Sequence, residues 1–151
     1  MPATVQPQQV FQSSDLSRHS TRVFAAAEDR PVDVTRRDGE DLVLMSKSEA
    51  TSREKLLELA ATLIGVATDT RGALADRMSS ALPWMLALSP EDRVACAHDL
   101  LQAARASFAT GQSHLAVAEM TSWRETATAV AAGLGTESVE WLTSDKRVER
   151  P

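Results

Sequence analysis

Residues 31–45 read PVDVTRRDGEDLVLM, and the fold turns on how this stretch is read. Two short β-type runs flank Asp38-Gly39, with Val32 and Val34 before it and Leu42, Val43, Leu44 and Met45 after it. An Asp-Gly pair at such a tip predicts a type I′ turn, because both central residues then take positive φ. Arg36 and Arg37 sit on its shoulder. Two adjacent guanidiniums there can grip a phosphate or read a base edge. The plainer alternative is a solvated turn with two exposed cations.

Upstream of the hairpin, Gln9–Gln12 is a short candidate strand. Ser13, Ser14 and Asp15 offer capping oxygens for a helix running to Glu28. Its apolar stripe is Leu16, Ser20, Val23, Phe24 and Ala27. Pro31 ends the helix by disfavouring helical backbone at Arg30. The first 46 residues thus read β-α-β-β. That unit is too poor in apolar area to be stable alone, so it should dimerise or pack on the downstream helices. Residues 1–8, with two prolines and three glutamines, read as a frayed tail.

Downstream, near Lys47, the apolar period changes from two to 3.6. The boundary drawn there gives residues 1–48 and 49–151. Ser46 and Ser48 are caps for a helix over Glu49–Ala67 with Leu56, Leu59, Ala60, Leu63, Ile64 and Val66 inward. Asp69 and Thr70 should open a second helix with Leu74, Met78, Ala81 and Leu82 inward, broken at Pro83. The run Pro83–Leu88 is either buried or a partner surface. Ser89-Pro90-Glu91-Asp92 is a clean helix start. That helix reaches Ala109 with Val94, Ala97, Leu100, Leu101, Ala104 and Phe108 on one face. A fourth helix covers Ser113–Leu134, with Val117, Met120, Trp123, Ala127 and Val130 inward. Residues 138–142 suggest one more turn, carrying Trp141, before a charged tail. The fold class is α+β, with a small sheet unit followed by a mainly helical region.

Composition narrows the chemistry. The chain has 151 residues, 43% hydrophobic, 4% aromatic, with a formal charge of -5. A polybasic nucleic-acid binder is excluded, but a local basic patch is not. One cysteine, Cys96, rules out an internal disulfide and a cysteine-based zinc site, and reads as a small buried hydrophobe. The first ten residues lack the apolar core of a signal peptide. The longest apolar run, Ala81–Leu88, is too short to span a bilayer. A cytoplasmic protein without membrane contact is expected. His19, His98 and His114 form no metal-binding spacing, and neighbouring His98 and Asp99 should point apart. Phosphate loops and nucleophile elbows are absent from the sequence. No cofactor, metal or catalytic residue is expected.

The constellation that remains joins the first helix to the hairpin. Arg18 and Arg22, four apart, should share a helix face. The serines at the helix start can donate to phosphate, and free N–H groups there attract anions. Alternatively these arginines pair with Asp15, Glu28 or Asp29.

The stretch VFQSSDLSRHSTRVFAAAEDRPVDVTRRDGEDLVLMSKSE resembles the N-terminal domain of Phd/YefM-type antitoxins. The matching pieces are His19–Phe24, Pro31–Glu40 and Leu42–Ser46, and Val34–Glu40 is the most specific. The resemblance covers about the first third of the chain. It implies a β-α-β-β unit that forms a homodimer through its sheet and binds operator DNA to repress its own operon. It also implies a C-terminal region that neutralises a cognate toxin. Arg36 holds the position of the family's DNA-contacting arginine. A second family arginine falls at Ser17, with Arg18 one residue away. The DNA-binding set implied is Arg36, Arg37, Arg18, Ser14, Ser17 and Arg22.

The helical region resembles, less specifically, extended C-terminal regions of some actinobacterial antitoxins, which are associated with toxins such as PIN-domain ribonucleases. Trp84, Met85, Trp123 and Trp141 are the candidate toxin-binding anchors. A cation, Arg124 or the Lys146-Arg147 pair, can enter a carboxylate-lined nuclease site. The competing reading is a non-enzymatic helical adaptor whose N-terminal unit dimerises without binding DNA. An enzyme would need a convergent polar pocket that the sequence does not advertise.

Overall fold

The computed structural model describes residues 8–135. It is α+β, a small sheet with mostly helices. The order is β1 (Val10–Gln12), α1 (Asp15–Arg18), α2 (Ser20–Asp29), β2 (Val32–Thr35), β3 (Leu42–Leu44), α3 (Lys47–Thr68), α4 (Leu74–Ala81), a 3-10 turn (Pro83–Ala87), α5 (Pro90–Thr110) and α6 (His114–Ala131). Two compact units, Met1–Glu58 and Leu59–Pro151, divide the chain inside α3.

In the first unit the sheet order is β1-β2-β3. β1 runs parallel to β2, a pairing that requires a crossover, and α1 and α2 supply it. β3 returns antiparallel, pairing Val32 with Leu44 and Val34 with Leu42. Val32 and Val34 are buried while Asp33 and Thr35 alternate with them, the period-2 pattern of a half-covered sheet. Phe11, Val23, Ala27 and Val32 form the core, with Leu16, Ala26 and Leu44 at its margin. The opposite sheet face carries Val10 and Val43 on either side of Asp33, and both valines are exposed.

Three local expectations are corrected here. The helix expected over residues 15–28 is two helices, broken at His19 (φ -137°, ψ 38°). The run Ser17-Arg18-His19-Ser20-Thr21 holds weak helix formers. The His19 carbonyl restarts the ladder by accepting from Arg22 and Val23 N–H. Ser14 makes no side-chain cap. Asp15 Oδ2 instead accepts the Gln12 N–H at 2.9 Å. The type I′ turn is also absent. Of Asp38 and Gly39 only the glycine has positive φ, at 149°. Strands end at Thr35 and resume at Leu42, so residues 36–41 form a longer loop, tied by the Arg36 N–H donating to Asp41 Oδ1 at 3.1 Å. Phe24 is exposed rather than inward.

The 22-residue α3 starts on Ser46, whose hydroxyl accepts the Glu49 N–H at 3.1 Å. Ser48 bonds to that hydroxyl at 3.0 Å. In the second unit Val66, Met78, Met85, Leu88, Cys96, Ala97, Leu100 and Ala127 form one core. Asp69 does not open α4. Its carboxylate accepts from the Arg71 backbone and guanidinium, both at 3.0 Å, closing a turn of the kind aspartate favours. α4 begins only at Leu74. α5 starts as expected. Ser89 Oγ accepts the Asp92 N–H at 3.1 Å and donates to Asp92 Oδ2 at 2.8 Å, and Gly111 ends it with φ 66°. The start of α6 is satisfied from α5. Buried Ser107 Oγ accepts the Ala116 N–H at 3.0 Å, while Ser113 makes no side-chain cap.

Several residues read as inward lie outside. Ile64 is 64% exposed, Val94 62% and Phe108 46%, and Ala81 and Val130 are exposed too. α6 ends at Ala131, short of Leu134. His98 and Asp99 do meet, with Nδ1 3.4 Å from Oδ1, in a long and exposed contact. Among the described residues no helix is long and apolar enough to cross a membrane.

Candidate functional site

Parallel pairing of β1 and β2 decides what comes together. Gln12 lies opposite Thr35, so both strands end at the same side of the sheet. The Ser13 N–H donates to the Thr35 carbonyl at 2.9 Å. The Thr35 hydroxyl donates to the Phe11 carbonyl at 3.2 Å. From this stitched corner one chain segment enters α1, carrying Ser14, Ser17 and Arg18. The other enters the loop carrying Arg36 and Arg37. All five side chains are exposed. Residues separated by some twenty positions in the sequence therefore leave one sheet end together.

Arg22 is placed differently. The break at His19 puts it on α2 and Arg18 on α1, so the expected shared helix face does not exist. Its guanidinium carbon lies 5.8 Å from the centre of the Phe11 ring, a cation–π distance. The alternative pairing of these arginines with Asp15, Glu28 or Asp29 is not what forms. Asp15 accepts from Gln12, and Asp29 pairs with Arg30 at 3.2 Å. Among the described residues Arg18, Arg36 and Arg37 make no ion pair. Arg30, Arg53 and Arg71, by contrast, are each held by a carboxylate. The corner is not strongly basic: the loop also carries Asp38, Glu40 and Asp41. Its free guanidiniums can hold an anionic oxygen locally, by geometry more than by field.

Gly39 shapes this loop. A Cβ built on it would lie 3.2 Å from Arg36 Cζ and 3.3 Å from each terminal nitrogen. The Arg36 side chain is thus folded back over Gly39.

In the helical unit the anchor candidates separate. Met85 is fully buried in the core, which removes it from any partner surface. Trp84 and Trp123 are half-buried against that core. Arg124 is exposed. Trp141 and the Lys146-Arg147 pair lie outside the described residues. The helical period missed the exposed apolar residues Leu86, Val94, Phe108 and Leu115. It marks a stripe but not which of two apolar flanks a neighbouring helix covers.

A shallow cleft lined by Asp69, Arg71, Asp76, Arg77 and Ser80 is internally satisfied. Arg71 holds Asp69 at 3.0 Å, and that hydrogen bond keeps the Asp69 carboxyl below its ordinary pKa. Arg77 Nη1 donates to the carbonyls of Val66 and Asp69, which ends α3. Cys96 is buried and unpaired. Burial, with the carboxylates of Asp99 and Glu119, pushes its thiol up to about 12, so it is no nucleophile at neutral pH. Among the described residues no group of three or more His, Cys, Asp or Glu could hold a metal ion.

No family model, curated protein or solved structure matches the chain, so the likeness to Phd/YefM-type antitoxins rests on the residues quoted for it.

Proposed function

We propose that the chain is an antitoxin of the Phd/YefM type. Its N-terminal unit acts as a dimeric operator-binding repressor, and its helical unit neutralises a protein toxin. The observation that carries this reading is the shared corner. Ser14, Ser17 and Arg18 leave the same sheet end as Arg36 and Arg37, and the three arginines make no ion pair among the described residues. A duplex presents rows of phosphates that such guanidiniums and hydroxyls fit. A homodimer doubles the set, and the exposed Val10 and Val43 on the open sheet face give it apolar area to bury. Toxin binding uses Trp84, Trp123, Arg124 and Trp141. Met85 is left out because it is core.

The test is a mobility-shift titration of the full chain with the DNA upstream of its own gene, at low and moderate salt. It is run beside co-expression with the small reading frame next to that gene. A salt-dependent shift and rescue of growth are expected. No shift over random duplex at low salt sinks the repressor role and favours the adaptor reading. No rescue sinks the antitoxin role.

A further inference from the structure

Gly39 serves the arginine as well as the loop. The three distances from its built Cβ to Arg36, 3.2 Å to Cζ and 3.3 Å to each terminal nitrogen, are nearly equal. A point beyond the edge of the guanidinium fork, in its plane, would lie clearly farther from Cζ than from the nitrogens. Near equality requires that Gly39 sit under the flat face. The five N–H donors of arginine all lie in the guanidinium plane, so a group held by its face keeps them free. None of them is spent on an ion pair or hydrogen bond that the described residues show. The backbone below is fixed at two points: the Arg36 N–H donates to Asp41 Oδ1 at 3.1 Å, and Gly39 adopts φ 149°.

We propose that Gly39 is a positioning residue for Arg36. It is a bare backbone platform that holds the guanidinium by its face and leaves its donor edge open to the oxygens of a backbone phosphate. The nature of that anion rests on the operator-binding reading, but the platform does not. A flexible arginine on an exposed loop loses rotamer freedom on binding, and an arginine already seated loses less. Any side chain at position 39 would occupy the seat. Because the atoms it meets are the far end of a flexible chain, the arginine would swing away rather than the loop break. Arg37 has no such seat and is the internal control.

The experiment reads side-chain order directly. In the full chain labelled with 15N, the Arg36 Nε–H should show a clearly higher heteronuclear NOE than that of Arg37. Gly39→Ala should bring the Arg36 value down to the level of Arg37. Equal values in the unaltered protein overturn the proposal, and this comparison needs no variant to fold. Operator affinity is then measured by fluorescence anisotropy on the same upstream duplex. Gly39→Ala should weaken binding by at least about fivefold when Arg36 is present, and by less than about twofold in the Arg36→Ala background. Equal losses in both backgrounds overturn the proposal. An ordered Arg36 that Gly39→Ala releases, in a chain that binds no DNA, upholds the platform and refutes the operator reading.

Discussion

Replacing Met85 by alanine separates a core residue from a partner anchor. The thioether is fully buried, packed in the cluster of Met78, Leu88, Cys96 and Leu100 and flanked by Trp84 and Trp123. The 3-10 turn around it is closed by backbone bonds, Met85 N–H to the Leu82 carbonyl and Leu88 N–H to the Met85 carbonyl, both 3.0 Å. Alanine keeps both. The loss is therefore packing alone. Truncations of this size cost roughly 2–5 kcal/mol. The two half-buried indoles can relax inward, which places this site in the lower half of that range, about 2–3 kcal/mol. For a unit of this size that lowers the midpoint temperature on the order of 10 °C or more. All three tryptophans lie in the Leu59–Pro151 unit, so intrinsic fluorescence follows its unfolding without interference from the sheet unit. Leu86→Ala, one residue along and 58% exposed, is the control and should shift stability by no more than about 0.5 kcal/mol. If Met85→Ala unfolds no earlier than Leu86→Ala, Met85 is not core and the account of this turn fails.

Other outcomes rest on the same geometry. Arg36→Ala should weaken operator binding by about 1–3 kcal/mol per contact; in a dimer that loses two phosphate contacts, the slope of log K against log salt should fall by about two, and an unchanged slope would show that Arg36 touches no phosphate. The Cys96 thiol titrates near 9.0 ordinarily and about 12 in the fold. Its contribution to stability is therefore complete below about pH 9 and is lost as pH rises toward 12, by at most about 1.4 kcal/mol per unit. Denaturation midpoints at pH 8 and pH 10, wild type against Cys96→Ala, should show the extra fall only in wild type. Ser89→Ala removes the acceptor for the Asp92 N–H and should cost about 1 kcal/mol, read by the same fluorescence melt; no loss would mean that the cap is replaced by water.

What the sequence made legible was punctuation. Pro31, Pro83, Ser89-Pro90 and Gly111 stand where elements begin or end, because each acts through its own backbone or a neighbour's N–H. Side-chain choices between two local partners were not legible. Asp69 is as good a cap as Ser89 on composition, yet Arg71 two residues on captures its carboxylate. The hairpin motif failed for a related reason: Asp41 bonds to the Arg36 N–H and opens the Asp-Gly tip into a longer loop. Inward positions failed where a helix has two apolar flanks. On α5, Val94 and Phe108 share a stripe seven apart with Leu101, and the buried residues lie on the adjoining stripe of Cys96, Ala97, Leu100, Ala104 and Ser107. For the candidate site, residue identities were readable, but their convergence was not. That depends on β1 pairing parallel to β2, and strand direction leaves no local mark.

The helical unit bears on how any partner would be held. A tail that folds only on its partner loses binding free energy to ordering, on the order of 2–5 kcal/mol. The residues after Leu59 instead contain a buried core of their own, including Met78, Met85, Cys96 and Leu100 at zero exposure. Neutralisation by such a unit works from a surface already formed. The side chains that can change affinity without changing fold are then the exposed ones, Leu86, Val94, Phe108 and Leu115, together with the outer edges of Trp84 and Trp123. Substituting an exposed residue should alter the rate of release and leave the fluorescence melt in place, whereas substituting Met85 should move the melt first. A single melt-and-release series across these positions therefore distinguishes a preformed docking surface from a segment that folds on contact, because in the second case every substitution would move both.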